Sequence, residues 1–163
     1  MRLRTLVAIP LLLLAFTVST GSAHAATERE VVRVYHQAVQ PIATSGSGVG
    51  TVRTFFIPMA VDGKAADGYY LTGTLTTLAT DMADGYEIRA SNLIYVFGNE
   101  ADQLVVGGIS LYPPSDATLP PGSRTVRPVV GGSGRYDGAT GQVISRNYGA
   151  QGWTHTFRIV LPD

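Results

Sequence analysis

The chain contains no cysteine, which excludes disulfides, thiolate nucleophiles and zinc-thiolate centres at once and leaves packing to hold the fold. It has no excess of either charge, with 12 basic and 12 acidic residues, so it lacks the basic footprint of a nucleic-acid-binding protein. Histidine is scarce, at three residues, and they are too few and too scattered for a metal site. No cofactor motif appears in any register and no Asn-x-Ser/Thr sequon occurs. No window sustains the 3.6-residue period of an amphipathic helix, and 19 glycines interrupt the chain too often for long helices.

What is present begins with "MRLRTLVAIPLLLLAFTVSTGSAHA", a basic start, an apolar run and a small-residue Ala23-His24-Ala25 ending, the layout of a cleavable secretory signal. The apolar run is broken by Pro10 and fades through Thr17, Ser19 and Thr20, short of the ~18–20 residues a retained anchor needs. Residues 1–25 are therefore expected to be a cleaved signal and 26–163 one secreted domain with no membrane attachment. Cleavage removes Arg2 and Arg4, leaving 10 basic against 12 acidic residues on a chain of ordinary single-domain size.

Beyond residue 28 the chain alternates Val-, Ile-, Leu-, Thr- and Tyr-rich segments with Gly, Pro, Asp and Asn, the punctuation of short antiparallel strands. Eight strands are expected, near 29–40, 51–59, 68–80, 85–98, 102–112, 124–130, 139–149 and 152–161. Most connections are compact enough for hairpins. The exception is Tyr112–Gly122, whose four prolines forbid ladder bonding, either as a plain crossing of the barrel end or as a lid over a cavity. Eight sequential strands remove their edges by closing into an all-β, antiparallel barrel with room for side chains or one small ligand.

One run of glycines demands its own account. Gly131, Gly132, Gly134, Gly138 and Gly141 fall within eleven residues of "VVGGSGRYDGATGQV". A phosphate loop would need a lysine and a following helix; Ala139-Thr140-Gly141-Gln142 supplies neither. Glycine at such density suits a tight corner with positive φ, closing against a neighbouring strand. The same segment resembles the signature turn of the allene oxide cyclase barrel family, through Gly131-Gly132-Ser133-Gly134, Tyr136, Asp137, Gly138-Ala139 and Gly141-Gln142-Val143. "DGYEIRASNLIYVFGNEADQLVVGG" resembles that family's preceding hairpin and "TFRIVL" its closing strand, while "VYHQ" resembles the first strand of the related dirigent proteins.

The resemblance implies a barrel whose lumen holds an apolar substrate, an isomerase-type cyclisation or a stereoselective coupling, and association as a homotrimer. It also implies a first-strand carboxylate, and here the places fall at Tyr35 and Gln37; the arginine that dirigent proteins carry after the glycine turn is Thr140. Neither activity transfers intact.

Alternation along the first strand separates Arg33, Tyr35 and Gln37 from Val32, Val34 and His36, and by analogy with the family the first set faces the lumen. That leaves the two valines as exterior surface for a trimer contact and His36 outside. On the fourth strand Glu87 and Arg89 are expected as an exposed rim pair, and Asn92 sits among aliphatics where its amide needs a partner. Tyr35, Gln37, Asn92, Leu75 and Tyr95 form the expected ligand-binding set, and His155 is expected as a packed histidine beside Trp153 and Phe157. Three functions stay open: a cofactor-independent cyclase or coupling template for a small hydrophobic ligand, a noncatalytic carrier of a lipid or aromatic metabolite, and a filled structural barrel.

Overall fold

The computed structural model describes residues 28–38, 40–114 and 118–162; the expected export signal lies outside them. Ten strand segments run along the described chain: β1 (Glu28–His36), β2 (Ala43–Ser45), β3 (Val52–Val61), β4 (Lys64–Ala79), β5 (Glu87–Phe97), β6 (Gln103–Val106), β7 (Ile109–Tyr112), β8 (Arg124–Ser133), β9 (Thr140–Asn147) and β10 (Trp153–Leu161). They pair antiparallel in the order β1-β10-β9-β8-β6-β5-β4-β3-β2, with β7 also on β5. The ring closes where β1 meets β3, Tyr35 opposite Ala60. Because β2 continues along the edge of β3 and β7 continues β6 along β5, the segments form a closed barrel of eight staves.

Local chemistry explains the joints. Asp62 and Gly63, at φ 50° and 75°, make a two-residue hairpin turn between paired Val61 and Lys64; positive φ at both central residues gives a turn whose twist matches that of the flanking strands. The β6–β7 break falls at Gly107–Gly108, opposite Pro128 of β8, which has no N–H to give a ladder; Gly107 instead donates to the Pro128 carbonyl at 3.2 Å.

One end of the barrel is plugged by aromatic packing. Phe97 meets Tyr136 at 4.9 Å and Phe157 at 5.9 Å, both edge-on, and Leu104, Val143 and Ile159 fill the space around them. Tyr136 belongs to the glycine corner, on a single 3-10 turn over Gly134–Tyr136. Gly134 has φ 61°, as the corner reading expects. Gly132 does not have positive φ; its requirement is close approach, since a β-carbon there would overlap the carbonyl oxygens of Tyr136 and Gln103. The corner's glycines thus let the chain fold back tightly enough to drive Tyr136 into the barrel end.

The inward faces differ from expectation on two strands. On β1 the valine set turns inward: Val34 is 1% exposed and His36 is buried, while Gln37 is exposed. Burying the apolar set outweighs the family analogy, because one residue of slip would turn every valine to solvent. Val32 packs against the core as well, which removes the two valines as exterior trimer surface. On β5 Glu87, Arg89, Ser91, Leu93, Tyr95 and Phe97 point in, and Asn92 points out.

Candidate functional site

At the end opposite the Tyr136 plug the lumen is not filled. A cavity of about 90 Å³ lies between Phe55, Ile57, Leu71, Leu75, Leu93 and Trp153 on its apolar side. Arg53, Arg89, Tyr95, Tyr112, Arg127 and His155 line its polar side. Each polar group comes from a different stave or register position, so the barrel's closure is what brings them together. Gln40, Thr118 and Trp153 also border a wider outer bowl of about 560 Å³, walled by Pro113, Leu119, Pro120 and Pro121. The proline-rich connection therefore shapes the cavity's mouth.

The charged floor is built around Glu87, whose burial corrects the expectation of an exposed rim pair: Glu87 is 8% and Arg89 1% exposed. Arg89 donates from Nε and Nη2 to the same Glu87 oxygen at 2.9 Å each, and Arg53 Nη2 lies 3.8 Å from it. Thr77 bridges the group, accepting from Arg53 at 3.0 Å and donating to Glu87 at 3.3 Å. The Arg89 guanidinium also sits 4.6 Å over the Tyr112 ring, a cation-π contact in a site sheltered from water.

Arg127 is held differently. It donates to Thr125 and to the Tyr112 hydroxyl, both at 2.8 Å, and its Nε has no hydrogen-bond partner among the described residues. Beside it, His155 Nδ1 faces Tyr95 Oη at 3.1 Å and Ser145 Oγ at 2.8 Å, and its Nε2 is buried without a partner. Burial pushes the Tyr95 phenol well above its ordinary range, so it stays a donor. Nδ1 is the hydrogen-bond partner of the buried Tyr95 hydroxyl; a proton on Nδ1 would set two donors against each other there, whereas an accepting Nδ1 takes the phenol's proton. The imidazole proton is therefore assigned to Nε2.

His36 stacks on His155 at 4.9 Å and uses Nδ1 to donate to the Gln37 carbonyl at 2.6 Å. Burial lowers the pKa of both histidines, that of His155 far below its ordinary value, with Coulombic repulsion from His36 and Arg127 adding to it. The sign of the consequence follows. The unfolded chain takes up protons near 6.5 where the folded one does not, so stability is full above that pH and falls below it. Each histidine contributes a loss of up to about 1.4 kcal/mol per pH unit. Melting temperature is expected to drop steadily from pH 6.5 to 5, with a shallower slope in His155→Gln; a rise over that window would contradict the buried neutral pair.

Of the residues expected from sequence, Leu75 and Tyr95 line the cavity. Tyr35 lies on the outward parity of β1, donating its hydroxyl to the Gln151 carbonyl, and Gln37 and Asn92 are exposed. These three do not meet the lumen. Sequence reasoning missed Arg53 and Arg127. The signal was there for Arg127: in Thr125-Val126-Arg127-Pro128-Val129 the arginine shares parity with Thr125 and Val129, both buried.

No family model and no curated protein matches the chain. Solved structures do. The chain is similar to a pterocarpan synthase dirigent protein with TM-score 0.60 at 11% identity, covering 93% of this chain and 98% of that one. It is similar to a Diels-Alderase from Streptomyces koyangensis with TM-score 0.57 at 15% identity, covering 87% and 72%. A pyocyanin demethylase gives TM-score 0.55 at 16% identity, covering 81% and 99%. At these identities the likeness is one of fold, a closed antiparallel β-barrel shared with a dirigent protein and a Diels-Alderase.

Proposed function

We propose that this barrel, exported from the cell, binds one small, flat, mainly apolar molecule with an oxygen function in its lumen and holds it for ring closure or coupling without a cofactor. The observation that carries the reading is the cavity itself: aromatic and aliphatic walls around a few buried polar groups, including a His155 Nε2 that no protein atom satisfies. Such a pairing of apolar walls with sparse convergent polar groups is the general form of a small-molecule site. The solved neighbours named as a synthase and a Diels-Alderase support the choice of reaction class. Catalysis of that kind rests on confining the substrate in a reactive conformer, which rigid walls can supply.

A carrier function is favoured by one observation. Among the described residues Glu87 is the only buried acid, and Arg89 and Arg53 engage it, so no carboxylate is left to act as a base. The two readings separate by mass spectrometry of what copurifies with the secreted protein and of what returns after incubation: a carrier releases its ligand unchanged. Leu75→Trp, which extends into the cavity, is expected to weaken binding of a fluorescent aromatic probe by about tenfold or more, a loss of about 1.4 kcal/mol, while the barrel still melts cooperatively. Probe binding unchanged by this variant would place the ligand elsewhere. Export is checked by intact mass, which should lack residues 1–25.

A further inference from the structure

Arg53, Arg89 and Arg127 are all buried in the barrel, with Glu87 the one buried acid among the described residues. Glu87 serves Arg89 and Arg53. Among the described residues Arg127, 4% exposed, hydrogen-bonds the neutral Thr125 and Tyr112 hydroxyls and no carboxylate. A guanidinium withdrawn from water with no anion beside it is a costly arrangement, and an anion that enters with the ligand relieves it. Arg127 Nε and His155 Nε2, both on residues of the cavity wall, are buried without hydrogen-bond partners among the described residues, and the proton assignment above makes the second a donor too. Both therefore ask for the same thing, an acceptor oxygen.

The walls limit what can carry that oxygen. Trp153 and His155 lie within 5° of parallel at 6.3 Å between centroids, and His36 stacks on His155 at 26°; these planes favour a flat body. The cavity's volume of about 90 Å³ is far below the ~300 Å³ at which drug-sized pockets begin, so a bulky polyanion does not fit.

We infer that Arg127 and the Nε2–H of His155 form an oxyanion subsite, selecting a flat conjugated ligand by one ionised oxygen group. This rests on the lumen being a ligand site, and deepens that reading by naming the ligand's charge. Charge-assisted bonds from a guanidinium are about twice as strong as neutral ones, so the site takes the anion in preference to its neutral isostere. Tyr112 holds the guanidinium at the subsite, accepting from Arg127 at 2.8 Å.

The test uses the full mature chain and three probes of one shape: 4-nitrophenol, 4-nitrobenzoate and the neutral 4-nitroanisole. Above the pH at which nitrophenol ionises in water, at least one anion is expected to bind about tenfold or more tightly than nitroanisole, and bound nitrophenol is expected to keep its yellow anion to a pH about one unit lower than the free probe. The stronger of the two anions distinguishes a phenolate-type from a carboxylate-type ligand. Arg127→Gln is expected to remove the anion preference and leave nitroanisole binding within about threefold. Should that variant fail to fold, the comparison of charged and neutral probes on the parent stands without it. Nitroanisole binding as well as both anions would overturn the oxyanion subsite and leave the lumen a ligand site; binding of none of the three would overturn both.

Discussion

A single methyl group added at residue 132 is expected to cripple the fold, while the same group at residue 131 leaves it unchanged. Gly131 has an ordinary φ and nothing within 4 Å of where a β-carbon would stand, so Gly131→Ala costs little. At Gly132 the β-carbon would overlap two backbone carbonyl oxygens, of Tyr136 and Gln103, and the Tyr136 β-carbon as well. Neither carbonyl can swing aside as a long side chain could: one belongs to the 3-10 turn that seats Tyr136, the other to β6. Overpacking costs about 1–3 kcal/mol, and rigid contacts on two sides put Gly132→Ala at the upper end, near 3 kcal/mol; Gly132→Val is worse. For a domain of this size that is a fall of roughly 10 °C in melting temperature. The near-ultraviolet signal of the aromatic plug should weaken with it. Equal melting of the two alanine variants would mean that the corner is loose and Tyr136 is not held by it.

That contrast shows how far the glycine run could be read in advance. Density of glycine announces a corner, since few other reasons place five glycines in eleven residues. It does not say which glycine answers to φ and which to a neighbouring carbonyl, because the neighbour comes from Gln103, some thirty residues earlier. The strands were legible for a similar local reason. Their apolar periodicity and Gly/Pro punctuation lie within each segment, and all eight expected segments correspond to staves of the barrel. β2 escaped notice because three exposed residues, Ala43–Ser45, carry no periodic signal.

The interior was harder to read than the strands. On β1 the valines themselves pointed inward, and giving weight to family analogy over that alternation placed Tyr35 and Gln37 in the wrong compartment. On β5 the pattern is reversed: the more apolar set, Ile88, Ala90 and Ile94, lies on the outer face with Asn92, and the set with Glu87 and Arg89 lies inside. Hydrophobic alternation cannot anticipate this. Burying charge is costly unless it is paired, and here Glu87 pairs with Arg89 two residues on along β5 and with Arg53 reaching across from β3. The Glu87–Arg89 spacing is legible along one strand; that Arg53 joins them, and that all three are buried, is shown by the structure.

The second large effect is expected at that meeting point. Glu87→Gln keeps the size and an acceptor oxygen at residue 87 but leaves Arg89, 1% exposed, without the carboxylate that it now touches twice at 2.9 Å. Removing one member of a buried pair costs about 3–5 kcal/mol, chiefly through the charge left behind. Replacing both members together, as Glu87→Leu with Arg89→Met, strands no charge on β5 and should recover much of that loss, a non-additivity that a double-mutant cycle reads directly. Salt gives an internal control. The exposed Arg135–Asp102 pair at 3.8 Å is open to screening, whereas the buried Glu87 cluster is not, so the Glu87→Gln deficit should persist at high ionic strength. If the lumen holds an oxyanion subsite, a bound anion also has more uncompensated charge to meet in Glu87→Gln, and 4-nitrobenzoate should raise that variant's melting temperature more than the parent's. A Glu87→Gln barrel that melts within about 1 kcal/mol of the parent would show that water reaches the cluster and that the lumen is open where the structure closes it.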